Sequence, residues 1–419
     1  MKVLDNFYRK SKSWLGICLV LSFLYLLSGC WVKDIDTPYY TQDTSYYCGA
    51  ASAQMILDSE NLGIYVSPQS SIYNYIHSHN ICAGWASDPE GLKDGLNHFA
   101  GGAAWFTWYA PTGQDDGNNK LAYTIDRYGV PPAALIYGSA HWVVVRGVVT
   151  SDQPTIAPAY DIYFFGVNDP WYGATSLGGD KWIDIRTWND EVFTGGSWCG
   201  APGGPRFISV VDPEPPTEAK ISYPAMQKRR TVVYKSEEIE EMAANFLEKI
   251  LSSKAFREYY DDNTIKNLSL SSIGTAKLVS RLDLEKEAYY TVPLIAKNGE
   301  RRSMVQGALL FDAYRGQFKE MSVVDKAVSY VLVDNEDYAR KLFDKQYDMR
   351  SKGVTKLTDF DLVWLPSKES RSPFHPFWQA KGVTKYSDKP MVLAYMDQEG
   401  KLFDGLTPLA KAKTKGGGF

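Results

Sequence analysis

The chain has 419 residues, of which 44% are hydrophobic, 14% aromatic and 22% charged, with 34 Gly and 21 Pro. This composition excludes a disordered or fibrous protein, and the length exceeds what one hydrophobic core usually organises, so two domains are expected. A net charge of −4 gives no whole-chain case for nucleic-acid binding, but the total conceals a split. Residues 31–215 carry 8 basic and 20 acidic side chains, whereas residues 216–419 carry 33 and 28.

Lys2, Arg9, Lys10 and Lys12 precede an uncharged apolar run over residues 15–27. Such a run is too short to span a bilayer comfortably and has the shape of a signal peptide. It ends in Leu27-Ser28-Gly29-Cys30, which resembles the lipobox of bacterial lipoproteins. The resemblance implies that residues 1–29 are removed, that Cys30 carries lipid, and that residues 30–35 form a tether. The expected location is the bacterial cell envelope, anchored to the membrane by lipid and facing the periplasm or the exterior. No later stretch is apolar for long enough to span a membrane. Cys48, Cys82 and Cys199 then lie where disulfides persist, and three thiols cannot all pair.

Residues 36–211 are rich in Tyr, Trp, Gly and Asn, with short strand-like runs between Gly, Asp and Pro. A polar aromatic loop, Pro38-Tyr39-Tyr40-Thr41-Gln42, leads to Cys48-Gly49-Ala50-Ala51-Ser52-Ala53-Gln54-Met55-Ile56-Leu57, whose small and apolar residues predict a helix. Cys48 falls at the helix start, where unpaired N–H groups and the macrodipole favour the nucleophilic thiolate. Gln42 is placed to bring a side-chain amide beside the Cys48 N–H, giving the two donors that a tetrahedral oxyanion needs.

Five histidines are candidates for a general base. His77, His79 and His98 lie in polar surroundings, and His375 lies beside a proline and reads as structural. His141 heads His141-Trp142-Val143-Val144-Val145-Arg146-Gly147-Val148-Val149, a buried strand that would hold its ring rigidly. The next strand, Tyr160–Val167, leads into Asn168-Asp169-Pro170-Trp171. A hairpin between the two brings Asn168 or Asp169 beside the imidazole to fix its tautomer.

Gln, then Cys-Gly at a helix start, His on a strand and Asp-Pro after the following strand resemble the papain-like cysteine peptidases. The likeness is nearest to the group that processes double-glycine leader peptides of bacteriocins, in a stand-alone lipoprotein form. It rests on PYYTQ (38–42), CGAASAQMIL (48–57), HWVVVRGV (141–148) and VNDPW (167–171). It implies an α+β domain with Cys48 as nucleophile, His141 as base, Asp169 as orienting acid and Gln42 as oxyanion residue, with Asn168 the alternative orienter. With Cys48 in that role, Cys82 and Cys199 become the preferred disulfide pair. No metal or cofactor is called for. The family's exporters carry a nucleotide-binding domain, but this sequence has no G-x-x-x-x-G-K-[ST] loop.

Asp212-Pro213-Glu214-Pro215-Pro216 begins a linker over 212–224. Beyond it lies a second α+β region that reads as two helix-plus-sheet units, 225–333 and 334–410, ahead of a flexible tail, 411–419. Ser236 and Asp334-Asn335 are the expected helix starts. Phe311-Asp312…Gly316 and Met396-Asp397…Gly400 are the matching turns. The expected function is a membrane-anchored cysteine peptidase acting on a peptide or protein. The alternatives are a cell-wall peptide amidase or transpeptidase with the same triad, and a catalytically silent peptide- or protein-binding lipoprotein. The opposite charges of the two regions suggest that the C-terminal region docks on the catalytic one.

Overall fold

A computed structural model of the protein describes residues 30–155, 160–171, 177–212, 227–252, 257, 262–296, 304–330, 333 and 335–409. The expected signal peptide, the linker beyond Asp212 and the tail lie outside the described residues. The fold is α+β, built on a large, mostly antiparallel sheet.

In chain order, strand β1 (Trp31–Asp34) precedes helices α1 (Cys48–Leu57), α2 (Gln69–Ser78) and α3 (Pro89–Ala100). Strand β2 (Thr107–Tyr109) and helix α4 (Gln114–Tyr128) lead to β3 (Ala133–Ile136), β4 (His141–Thr150), β5 (Ile162–Asn168), β6 (Asp180–Asp184) and β7 (Ser209–Val211). The C-terminal region holds α5 (Ser236–Ser252), α6 (Asp262–Leu270), β8 (Ser272–Ile273), β9 (Lys277–Arg281), β10 (Ala288–Ile295), β11 (Met304–Asp312) and β12 (Phe318–Ser329). Helix α7 (Glu336–Gln346) and strands β13 (Val354–Trp364), β14 (Phe377–Thr384), β15 (Ser387–Met396) and β16 (Leu402–Phe403) complete it.

Every residue of β4 is buried, because both faces of the strand are covered. Trp142 and Val144 pack with Ala50, Ala53, Ile72 and Leu92 of α1 to α3. Val143 and Val145 pack with Leu121, Ala122 and Ile125 of α4 on the other side. The period-two alternation of the strand thus feeds two separate cores, each buried side chain contributing about 1.5–3 kcal/mol. Along one edge, β4 pairs with β3 at its start and with β1 at its end; β5 takes the opposite edge.

The expected tether is therefore a strand. Trp31 to Asp34 pair with Thr150 to Gly147, and the buried Arg146 holds Asp34 in an ion pair. That pairing gives a short polar stretch a reason to be ordered.

Each half of the C-terminal region ends in a four-stranded antiparallel meander, β9 to β12 after α5, α6 and β8, and β13 to β16 after α7. Their first strands, β9 and β13, pair in parallel, and each meander runs outward from that pair. The helices lie on opposite faces. Ile239, Ala243 and Leu247 of α5 pack with Tyr290, Val292 and Leu309, whereas Ala339 and Phe343 of α7 pack with Tyr289, Leu310 and Phe360. Asn335 caps α7 by accepting from the Tyr338 N–H at 3.0 Å. Two turns share one chemistry: Asp312 and Asp397 each accept backbone N–H bonds, and Gly316 (φ 63°) and Gly400 (φ 84°) supply the left-handed residue.

Although the sequence suggests two bodies on either side of a linker, one sheet runs through both. Glu320, Met321 and Ser322 of β12 pair with Ile183, Trp182 and Lys181 of β6. Among the described residues, no helix is long and apolar enough to cross a membrane.

Candidate active site

Cys48 is the first residue of α1, a helix with no side-chain cap and every residue buried. The Cys-Gly dipeptide has a steric reason. A Cβ on Gly49 would lie 2.5 Å from the Ser87 side chain and 3.4 Å from the Trp142 ring, so only Gly lets α1 approach β4 closely at this point. Ser87 is itself fixed. Trp142 Nε1 donates to its carbonyl at 2.9 Å, and the neighbouring Asp88 carboxylate accepts from the N–H groups of Ile81, Cys82 and Gly91.

His141 enters β4 beside Cys48, within hydrogen-bonding reach of its thiol. The ring's Nε2 meets Asp169 Oδ1 at 2.7 Å, so its other nitrogen, Nδ1, faces away from the carboxylate. Asp169 follows β5 directly; its Oδ1 also accepts from the Trp171 N–H at 3.0 Å, and its Oδ2 accepts from Lys181 Nζ at 3.3 Å. Burial works against the Asp169 carboxylate, but the charges of Lys181 and His141 and the bonds it accepts hold it well below the usual carboxylate range. For Cys48, burial again opposes ionisation. A hydrogen bond from cationic His141 and its charge, the charge of Arg371 and the Trp142 N–H outweigh it and bring the thiol down to about 7.

Asn168, the alternative orienter, is not at the ring. It sits opposite Val144 and so shares the strand face of Arg146, from whose Nε its Oδ1 accepts at 3.0 Å; its Nδ2 donates to the Thr37 carbonyl at 3.0 Å. Asn168 therefore serves the Arg146 cluster, in which Asp34 and Asp180 each pair with one guanidinium nitrogen.

Gln42 lies in the loop before α1, fully buried, with its N–H bonded to the Pro170 carbonyl at 2.7 Å. Together with the bond from Tyr39 Oη to the Asp169 carbonyl at 3.0 Å, this ties the Gln42 loop to the Asp169 loop. The Gln42 Nε2 donates to the Thr44 carbonyl at 2.7 Å, and its Oε1 is buried with no hydrogen-bond partner among the described residues. A cavity of about 450 Å³ lies alongside, lined by Tyr39, Tyr40, Gln54, Tyr65 and Gln69 among others, but neither Cys48 nor His141 lines it.

One residue at this centre has no signal in the local sequence. Arg371, 230 positions after His141, places its Nη1 2.5 Å from His141 Nδ1 and its Nη2 3.4 Å from the Ser45 carbonyl. It comes from the loop between β13 and β14, which also carries His375. That histidine is buried, with Nε2 against the Leu177 carbonyl at 2.5 Å and its ring 5.3 Å from that of Trp171. Burial brings its pKa down to about 4. His375 thus belongs to the loop that reaches the centre.

Cys82 and Cys199 form a disulfide with Cα atoms 6.0 Å apart, and Cys48 is not cross-linked. His77, His79 and His98 are on α2 and α3 or just after, stacked on Tyr73 and Tyr75. Among the described residues, no group of three or more His, Cys, Asp or Glu side chains is placed to hold a metal ion. The chain matches no family model, no curated protein and no solved structure.

Proposed function

We propose that this protein is a cysteine peptidase with a papain-like catalytic region, hydrolysing peptide bonds of a peptide or protein substrate. The observation that carries the reading is the line Cys48, His141, Asp169: a thiol at an uncapped helix start, a base on a rigid strand and a buried carboxylate behind it. In this mechanism the Cys48 thiol gives its proton to His141 Nδ1, and the thiolate attacks the scissile carbonyl carbon. The oxyanion that forms accepts from the Cys48 N–H and the Gln42 amide. As the C–N bond breaks, His141 returns the proton to the leaving amine. Water, deprotonated by His141, then hydrolyses the thioester and restores the thiol.

Asp169 holds the imidazole with its N–H on Nε2 and balances the charge that develops on the ring. Lys181 keeps Asp169 ionised. The reading predicts stoichiometric labelling of Cys48 by an electrophilic thiol probe, with a rate that rises through about pH 7, and loss of that labelling in His141→Ala. Hydrolysis of a proteome-derived peptide library checks the substrate class. Labelling of Cys30 with an inert Cys48 would overturn the reading.

A second reading is a catalytically silent binding protein, favoured by one observation: His141 and Asp169 are 0% exposed and Cys48 8% exposed. It predicts no turnover under any condition.

A further inference from the structure

The three buried arginines that close on the sheet are not held alike. Arg146 is paired with Asp34 and Asp180, and Arg281 with Glu191 and Asp283. A buried guanidinium needs such partners, because its desolvation is otherwise left uncompensated. Arg371 is 7% exposed and, among the described residues, has no ion pair; its partners are an imidazole nitrogen and a carbonyl, and its Nε is buried with no hydrogen-bond partner. An arginine serving only to hold the fold together would sit among carboxylates. This one sits where the reaction has to occur.

Its position conflicts with catalysis in two ways. The leaving amine must come within about 2.6–3.2 Å of the base to receive its proton, and Arg371 Nη1 already fills that shell of Nδ1. A guanidinium also has only donors, so its contact uses the Nδ1 lone pair. While that contact is made, Nδ1 is not available to take the Cys48 proton.

The segment that carries Arg371 is bound from both sides. The Arg371 carbonyl accepts from Tyr137 Oη at 3.1 Å, and His375 reaches the Leu177 carbonyl; both contacts are to the catalytic region. The Pro373 and Phe374 carbonyls accept from Tyr289 Oη at 2.7 Å and Tyr330 Oη at 2.8 Å, in the C-terminal sheet. A Cβ at Gly178 would meet Ser372 Oγ at 2.1 Å, so the Leu177-Gly178 backbone is shaped to accept this segment.

We propose that residues 370–375 are an inhibitory strap and Arg371 its plug: the protein folds in a latent state, and the strap must withdraw from the centre before a peptide enters. This rests on the peptidase reading, but it makes a claim of its own about access to Cys48. The opening pivots on Phe374, which is 0% exposed in the C-terminal core: Arg371 and Ser372 swing from the centre while β13 and β14 keep their places in the sheet. The unpartnered Nε gains water on release, which lowers the cost of opening.

The test is the alkylation rate of Cys48 by iodoacetamide, followed on the Cys48 peptide by mass spectrometry with the full chain. Each rate is followed upward in pH to its plateau, where the thiol is ionised and the rate reads access. In the wild-type chain the rate should be at least about tenfold slower than in the same chain unfolded in urea; an equal rate overturns the proposal and needs no variant. Arg371→Ala should raise the rate about tenfold or more, and Arg371→Gln should raise it less. A rate unchanged or lowered in a variant with the wild-type melting temperature overturns it as well. Hydrolysis of the peptide library separates the two claims. Faster alkylation without hydrolysis leaves the plug standing and removes the peptidase. Cys48-dependent hydrolysis by the wild type that Arg371→Ala does not increase leaves the peptidase and removes the plug.

Discussion

Two buried ion clusters straddle the junction between the N-terminal and C-terminal regions, and adjacent residues of one strand feed both. Lys319 of β12 pairs with Glu191, which also holds Arg281. Glu320, the next residue, projects to the other face of the strand and lies 3.9 Å from Lys181, the partner of Asp169. The Glu191 cluster is closed: its two cations are matched by Glu191 and Asp283. The Asp169 cluster continues through His141 to a thiol on one side and, on the other, to an arginine with no ion pair among the described residues. The difference teaches that burial of charge alone does not mark a functional centre. What marks it is a chain of pairs that ends in a group able to move a proton.

The largest effect should come from breaking the open cluster at its carboxylate. Asp169→Asn removes the acceptor that fixes the tautomer, and hydrolysis by the folded chain should fall by about 10³–10⁴-fold; the same change leaves the buried Lys181 with Glu320 alone at 3.9 Å, so it should also cost about 3–5 kcal/mol of stability. Steady-state rates on a library peptide, with and without Arg371→Ala, check this; equal rates would put Asp169 on the same footing as Glu191.

Glu191→Gln, in the closed cluster, should cost about 3–5 kcal/mol of stability at pH 7, since it leaves Arg281 and Lys319 short of a counter-charge. Burial disfavours the Glu191 ion, but Lys319 and Arg281 bring its pKa down from 4.5 to about 2. A depressed carboxylate stabilises the fold above its unfolded pKa, and the contribution is lost as pH falls toward 2. The difference between variant and wild type should accordingly shrink between pH 4.5 and 2 in denaturant melts.

The smallest effect has the opposite sign. Asp184, at the end of β6, accepts from the Arg186 N–H at 3.0 Å and has no ion pair among the described residues. Burial raises its pKa to about 6. A carboxyl raised in the folded state penalises folding from its unfolded value of 3.8 upward, and in full above about 6, so Asp184→Asn should stabilise the protein by about 1–3 kcal/mol at pH 7 and by nothing near pH 3. Together the three carboxylates compare burial that is wired, closed and unpaired.

Much of the candidate site is legible in local strings. Cys-Gly before an Ala-rich helix, a histidine heading a valine-rich strand, and Asn-Asp-Pro after the next strand each encode an element and a side chain within a few residues. Choosing Asp169 over Asn168 needs the register of β4 against β5 and the presence of Arg146, which no short window contains. Lys181 has a weak signal, as a cation at the head of the buried run Trp182–Ile185. Arg371 has none. It stands between two serines in a short loop, and its role depends on a contact 230 positions away. The C-terminal turns are legible because Asp and Gly encode them locally. The joining of the regions through β6 and β12 is not, because strand pairing across so long an interval leaves no local trace.

The strand that begins at Trp31 has a consequence for geometry at a bilayer. On the reading that Cys30 carries lipid, no spacer separates the acyl chains from the first hydrogen-bonded residue. Each extended residue of a tether would add about 3.3–3.6 Å of reach. Without one, the body is held by the edge of its own sheet, with little freedom to tumble or to search the space above the membrane. Substrates would then be selected first by how near they come to the lipid surface and only afterwards by their sequence.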